Sequence, residues 1–135
     1  MGSIPKTGTS PTVIRVLTVD DHALIREGVA ALIANQKDMS LVGEASNGRE
    51  AIEQFRSHRP DVTLMDLQMP EMNGIDALIA IRGEFPKARI IVLTTYAADT
   101  LCKRAMQAGA HAYILKGDVR KDLLDKIRAA YAGKS

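Results

Sequence analysis

Five short apolar runs, at 13–19, 41–45, 62–65, 90–93 and 112–115, alternate with five stretches whose apolar residues recur at helical spacing. No other feature restricts the fold so strongly. The segments between runs are too long for hairpins, so successive strands run parallel, and right-handed crossovers place helices on both faces of the sheet. The first helix is predicted over 23–34, with Ile25, Val29, Leu32 and Ile33 inward and Arg26 and Glu27 in water. The second opens at Asn47-Gly48, buries Ala51, Ile52 and Phe55, and ends at Arg59-Pro60. The third covers 75–83 with Ile75, Leu78 and Ile79 inward. The fourth covers 100–108, stopped by Gly109, and the fifth covers 119–132 with Leu123, Ile127 and Tyr131 on one side.

This pattern predicts one α/β domain, a doubly wound (βα)5 sheet of flavodoxin-like type with strand order 2-1-3-4-5. Strands one and three then meet at the switch point, and their carboxyl ends share a crevice. The 135 residues, 46% hydrophobic and 25% charged, suit one core and leave no room for a second domain. Residues 1–11, MGSIPKTGTSP, are small, polar and interrupted by proline, and are expected to form a flexible tail ahead of a domain at 12–135.

Lys and Arg number 18 against 16 Asp and Glu, and the signs are mixed, as in Arg120-Lys121-Asp122, unlike the basic stripe of a nucleic-acid binder. The single cysteine, Cys102, cannot form an internal disulfide and reads as a packed, reduced thiol, which fits the cytosol. No apolar run approaches the roughly 18 residues a membrane span needs, and the N-terminus lacks a signal peptide's apolar centre. A cytoplasmic protein without membrane association is the expectation.

The stretch at 61–74, DVTLMDLQMPEMNG, organises the candidate chemistry. Val62 to Met65 read as a strand covered on both faces, which holds no charge inside, so Asp66 is expected at its carboxyl end, facing solvent. Gln68, a Met69-Pro70 turn and the helix opening at Asn73-Gly74 follow. Every other strand except the second also ends in a polar group: Asp20 and Asp21, Thr94, and Lys116. Asp20 or Asp21 could alternatively cap the first helix.

Three acids in one crevice repel, by roughly 4 kcal/mol for a pair about 4 Å apart at an effective dielectric near 20, so the cluster either takes up protons or binds a cation. The ligands on offer are hard oxygens, which favours Mg²⁺, with Mn²⁺ as a substitute. His22, His58 and His111 read as surface or capping histidines, none with a partner at metal-ligand spacing. Lys116 and a hydroxyl remain to hold the oxygens of a phosphoryl group.

These residues resemble the receiver domains of bacterial two-component response regulators, over about 13–132. LTVDDHALIREGV resembles the acid pair and first helix of the NarL/FixJ-like subgroup, which carries a LuxR-type helix-turn-helix. DLQMPEMNG is similar to the phosphoacceptor turn, LTTY to the switch-hydroxyl strand end, and AGAHAYILK to the aromatic-and-lysine strand. The resemblance implies that Asp66 accepts a phosphoryl group from a sensor histidine kinase or a small phosphodonor. It implies that Asp20, Asp21, Asp66 and the backbone carbonyl of Gln68 hold Mg²⁺ and that Lys116 supplies a second cation. Thr94, favoured over Thr95, would bond the attached phosphoryl group, and Tyr113 would turn inward as a switch. Such a domain is no conventional enzyme: it catalyses its own phosphorylation and dephosphorylation. Gln68 and Tyr96 fall where the family tunes phosphoryl lifetime.

Two departures stand out. Gly117 follows the lysine where many receivers have a cis proline, and the chain stops at Gly133-Lys134-Ser135, where the subgroup continues to its DNA-binding domain. The expectation is an isolated or truncated receiver without specific DNA binding of its own, a DNA-binding full-length protein, and a phosphorylation-linked homodimer. The competing readings are a phosphate-independent interaction module, which the acid pair argues against, and an aspartate-nucleophile phosphatase, whose second acid is replaced here by Gln68. A flavin carrier is disfavoured by the absence of tryptophan.

Overall fold

The computed structural model describes residues 13–133. The tail expected at 1–11 lies outside the described residues. In chain order the elements are β1 (Ile14–Val19), α1 (Ala23–Ala34), β2 (Met39–Ala45), α2 (Gly48–His58), β3 (Val62–Asp66) and α3 (Gly74–Glu84). They continue with β4 (Ile90–Thr94), α4 (Thr100–Gln107), β5 (Ala112–Leu115), a single 3₁₀ turn (Lys116–Asp118) and α5 (Val119–Tyr131). The five strands form one parallel sheet in the expected order β2-β1-β3-β4-β5.

Because side chains alternate along a strand, each strand feeds two cores. Leu17, Val19, Met65, Ile90 and Val92 pack on one face with Phe55 of α2, Ile75, Leu78 and Ile81 of α3, and Cys102 of α4. Val16, Val62, Leu64, Ile91 and Leu93 pack on the other with Val29 and Ile33 of α1 and Leu123 and Ile127 of α5. Cys102 is a buried thiol, as expected, and burial pushes its pKa up.

Side-chain caps fix the openings of three helices. Asn47 accepts from the Glu50 amide, Asn73 from the Asp76 amide and Asp99 from the Leu101 amide. The first helix differs from expectation: His22 occupies its cap position without a side-chain cap bond, and neither Asp20 nor Asp21 caps it. Asp20 is turned into the crevice instead.

Four further expectations need correction. Ile79 is 52% exposed, because each helical step is about 100° and the buried arc of α3 runs through Gly74, Leu78 and Ile81, leaving Ile79 a full step beyond. Arg26 does not face open water: its guanidinium donates to the Asp20 carbonyl and pairs with Glu44 at 3.3 Å. β2 starts two residues earlier than its expected run, since Met39 and Ser40 pair with Ile14 and Arg15 and the Met39 side chain joins the core beside Ile14. The first strand conversely begins at Ile14, with Val13 outside the ladder.

Candidate phosphoryl and cation site

β1 and β3 are neighbours, and the crevice at their carboxyl ends collects the expected side chains. Asp66 forms the last rung of the ladder with β4, opposite Leu93, and Thr94 forms the last rung with β5, opposite Leu115. Both are therefore fixed by sheet hydrogen bonds and not by loop conformation. Asp66 is only 1% exposed, which overturns the expectation that it faces solvent. A covered strand can hold this charge because an amine sits beside it: Lys116 Nζ lies 3.1 Å from Asp66 Oδ1 and 3.7 Å from Asp20 Oδ2.

Asp20 is fully buried and its backbone amide bonds the Ala45 carbonyl. Its Oδ1 accepts from the His22 amide at 2.9 Å and lies 2.8 Å from His22 Nδ1. Asp21 is exposed, with Oδ1 3.2 Å from the same ring nitrogen. Ligand atoms of Asp20, Asp21, His22 and Asp66 all lie within 4.8 Å of one another. His22 is exposed and sits at the cap position of the first helix, as a surface or capping histidine would, but it is also a member of the cluster, contrary to the expectation that it lacks a partner at ligand spacing. Spacing between histidines concealed this, since its partners are the acids immediately before it and one brought in from β3.

The electrostatics of the cleft are unbalanced. Asp20 Oδ2 and Asp66 Oδ2 are buried with no hydrogen-bond partner, and Asp66 Oδ1 receives only the Gln68 amide at 3.3 Å besides Lys116. Burial first, and the Asp20 charge second, push the Asp66 carboxyl up to about 6, while Lys116 and the Gln68 amide pull it down. Two buried carboxylate oxygens without partners, in a cluster whose ligand atoms lie within 4.8 Å of one another, are the donor set a hard divalent cation takes, so the residues fit Mg²⁺.

Beside the carboxylates opens a cleft of about 140 Å³, lined among others by Asp66, Gln68, Thr94, Tyr96, Asp99 and Lys116. Thr94 is buried and its hydroxyl donates to the Tyr96 carbonyl at 3.2 Å, while Thr95 is exposed and lines the same cleft. Gln68 is exposed, and Tyr113 is 38% exposed on β5. A larger groove of about 430 Å³ runs between α1 and α5, but it is mainly apolar and shares only Lys116 with the carboxylate cleft. Gly117 lies in the 3₁₀ turn after β5, and no cis peptide bond occurs among the described residues.

The turn after β3 depends on close backbone approach. A Cβ on Gly74 would stand 2.1 Å from the Asp66 carbonyl oxygen and 2.8 Å from Leu67 Cα. Only glycine lets α3 begin so near the strand end. Among the described residues no helix is long and apolar enough to cross a membrane.

The model of the response regulator receiver domain matches residues 16–128. The response regulator protein VraR of Staphylococcus aureus is 38% identical over 122 residues, which cover 90% of this chain and 58% of VraR. The chain thus spans somewhat more than half the length of that relative. A LuxR-family two-component response regulator from Aurantimonas is 34% identical with a TM-score of 0.85, over 91% of this chain and 88% of that one. The signal receiver domain of NarL from Mycobacterium tuberculosis is 31% identical with a TM-score of 0.86, over 92% of this chain and all, 100%, of that one.

Proposed function

From the premise that the chain belongs to the response regulator receiver domain family, with relatives in its LuxR and NarL branch, we propose that Asp66 is its phosphoacceptor. The observation that carries this is the pairing of Asp66 with Lys116 at 3.1 Å in a cleft where Asp20 and Asp66 each keep a bare carboxylate oxygen. An Asp66 oxygen attacks the phosphorus of a kinase phosphohistidine. The P–O bond forms as the P–N bond breaks, and the departing imidazole takes a proton. Lys116 offers a positive charge to the oxygens of the transferred group, where charge accumulates in a loose transition state.

Asp20, Asp21, Asp66 and the Gln68 carbonyl are the residues to hold Mg²⁺, or Mn²⁺ in its place. When bound, the cation neutralises the acids and the charge on the transferred oxygens. Thr94 would exchange its bond to the Tyr96 carbonyl for one to the phosphoryl group, and Tyr113, now partly exposed on β5, would move toward the space this opens. That rearrangement would change the surface around α4, β5 and α5.

The partner is a sensor histidine kinase in the cytoplasm. The full-length protein would bind DNA through a further domain, whereas these residues alone give no sequence-selective gel shift. Phosphorylation should favour a homodimer, visible in sedimentation with and without a phosphodonor. The primary test is mass spectrometry after incubation with acetyl phosphate or phosphoramidate and Mg²⁺. One added phosphoryl group is expected, lost in Asp66→Asn and lost with chelator. Unchanged mass in the wild type, or labelling that survives Asp66→Asn, would overturn the assignment.

A further inference from the structure

His22 stands apart from the four positions assigned to the cation. Its ring nitrogen Nδ1 is 2.8 Å from Asp20 Oδ1 and 3.2 Å from Asp21 Oδ1, and it joins Asp66 in the 4.8 Å cluster. Adjacent ligands of an octahedral divalent ion held at 2.0–2.1 Å stand about 3 Å apart, so both separations match one edge of such a shell. Two buried oxygens in the same cleft, Asp20 Oδ2 and Asp66 Oδ2, lack hydrogen-bond partners. The imidazole is 58% exposed and makes no helix-cap bond, so neither packing nor capping explains its position.

We propose that His22 is a direct ligand, through Nδ1, of a divalent ion held by Asp20, Asp21 and Asp66, making the site one that takes nitrogen-preferring transition ions as well as Mg²⁺. The inference rests on reading the carboxylate cluster as a cation site. Imidazole adds little for Mg²⁺, which prefers oxygen and retains water, but adds much for Ni²⁺. A hydrogen bond from His22 to Asp20 alone would instead act on every cation equally, by holding the carboxylate in place or by competing for it.

Calorimetric titration of the untagged chain with Mg²⁺ and separately with Ni²⁺ separates these cases. His22→Ala is expected to weaken Ni²⁺ binding by about tenfold or more while leaving Mg²⁺ binding within about threefold. Asp66→Asn should weaken both and so assign the binding to this cleft. The Co²⁺ visible spectrum should change in His22→Ala, reporting the lost nitrogen independently of affinity. Equal effects of His22→Ala on Mg²⁺ and Ni²⁺, or none on either, would overturn the ligand role while leaving the cation site intact. Failure of the wild type to bind either ion would overturn the cation site itself. Circular dichroism of the metal-free variants checks that the fold is retained.

Discussion

Lys116 Nζ stands 3.1 Å from Asp66 Oδ1 at the mouth of β5, bringing together residues whose strands are separated by β4. With Asp20 3.7 Å away on its other side, the ammonium is the one Lys or Arg group within ion-pair distance of these two carboxylates among the described residues. Lys116→Met removes that charge and leaves both acids buried. In chelator at pH 8 the variant should lose about 1–3 kcal/mol, below the range for breaking a fully buried pair because the lysine is 21% exposed. The loss should shrink at pH 5, where Asp66 takes up a proton. Urea denaturation at both pH values checks it, and an equal loss at each would contradict the ion-pair account.

Asp66 itself gives a stability profile opposite to that of an ordinary aspartate. Its pKa is raised from 3.8 to about 6, so between those values the folded chain binds more protons than the unfolded chain. Stability from this group is therefore fully present below pH 3.8 and is lost as pH rises through about 6. Asp66→Asn removes the burdened charge, and in chelator it should be the more stable protein at pH 8 by on the order of 2 kcal/mol. That advantage should fade toward pH 4. Saturating Mg²⁺ should narrow the gap at pH 8 by neutralising the wild-type pocket. A wild type more stable than Asp66→Asn at pH 8 in chelator would refute the raised pKa.

The fold was legible because the burial pattern is written twice over, as runs of two-sided strands and as helical stripes, and both demand a parallel sheet. Asp66's burial was not. The rule that covered strands exclude charge considers one segment at a time, whereas its counter-charge lies fifty positions on, at Lys116. His22 escaped for a related reason: a search for histidines spaced as ligands passes over one whose partners are two adjacent acids and a third delivered by β3. Ile79 shows the same limit in the core. A helix of many apolar residues leaves its inward arc ambiguous until the neighbouring sheet selects it.

Gly74 and Gly83 lie at opposite ends of α3, and their environments predict opposite outcomes. A Cβ at Gly74 collides with the backbone of Asp66 and Leu67, which cannot yield as a flexible side chain could. Gly74→Ala should cost about 2–3 kcal/mol and displace the β3–α3 turn, slowing phosphoryl uptake at Asp66. At Gly83 a Cβ meets nothing within 4 Å, so Gly83→Ala should gain about 0.5 kcal/mol through the unfolded chain. Paired thermal denaturation measures the contrast. Two variants of similar stability would show that the approach at Gly74 is not a real constraint.

If Thr94 acts as proposed, it separates receiving a phosphoryl group from responding to it. Its hydroxyl reaches the Tyr96 carbonyl at 3.2 Å and makes no bond to Asp66, so Thr94→Ala leaves Asp66, Lys116 and the acid pair in place. The variant should gain the phosphoryl mass at a rate within about tenfold of wild type, because positioned charges supply most of the catalysis. What it should lose is the coupling to β5. In wild type, phosphodonor should shift the ring resonances of Tyr113 as that side chain leaves solvent; in Thr94→Ala they should stay put, and Thr94→Ser, which keeps the hydroxyl, should restore the shift. Equal Tyr113 shifts in Thr94→Ala and wild type would place the switch elsewhere, and would leave the Thr94 to Tyr96 bond as a device that merely shapes the loop before α4.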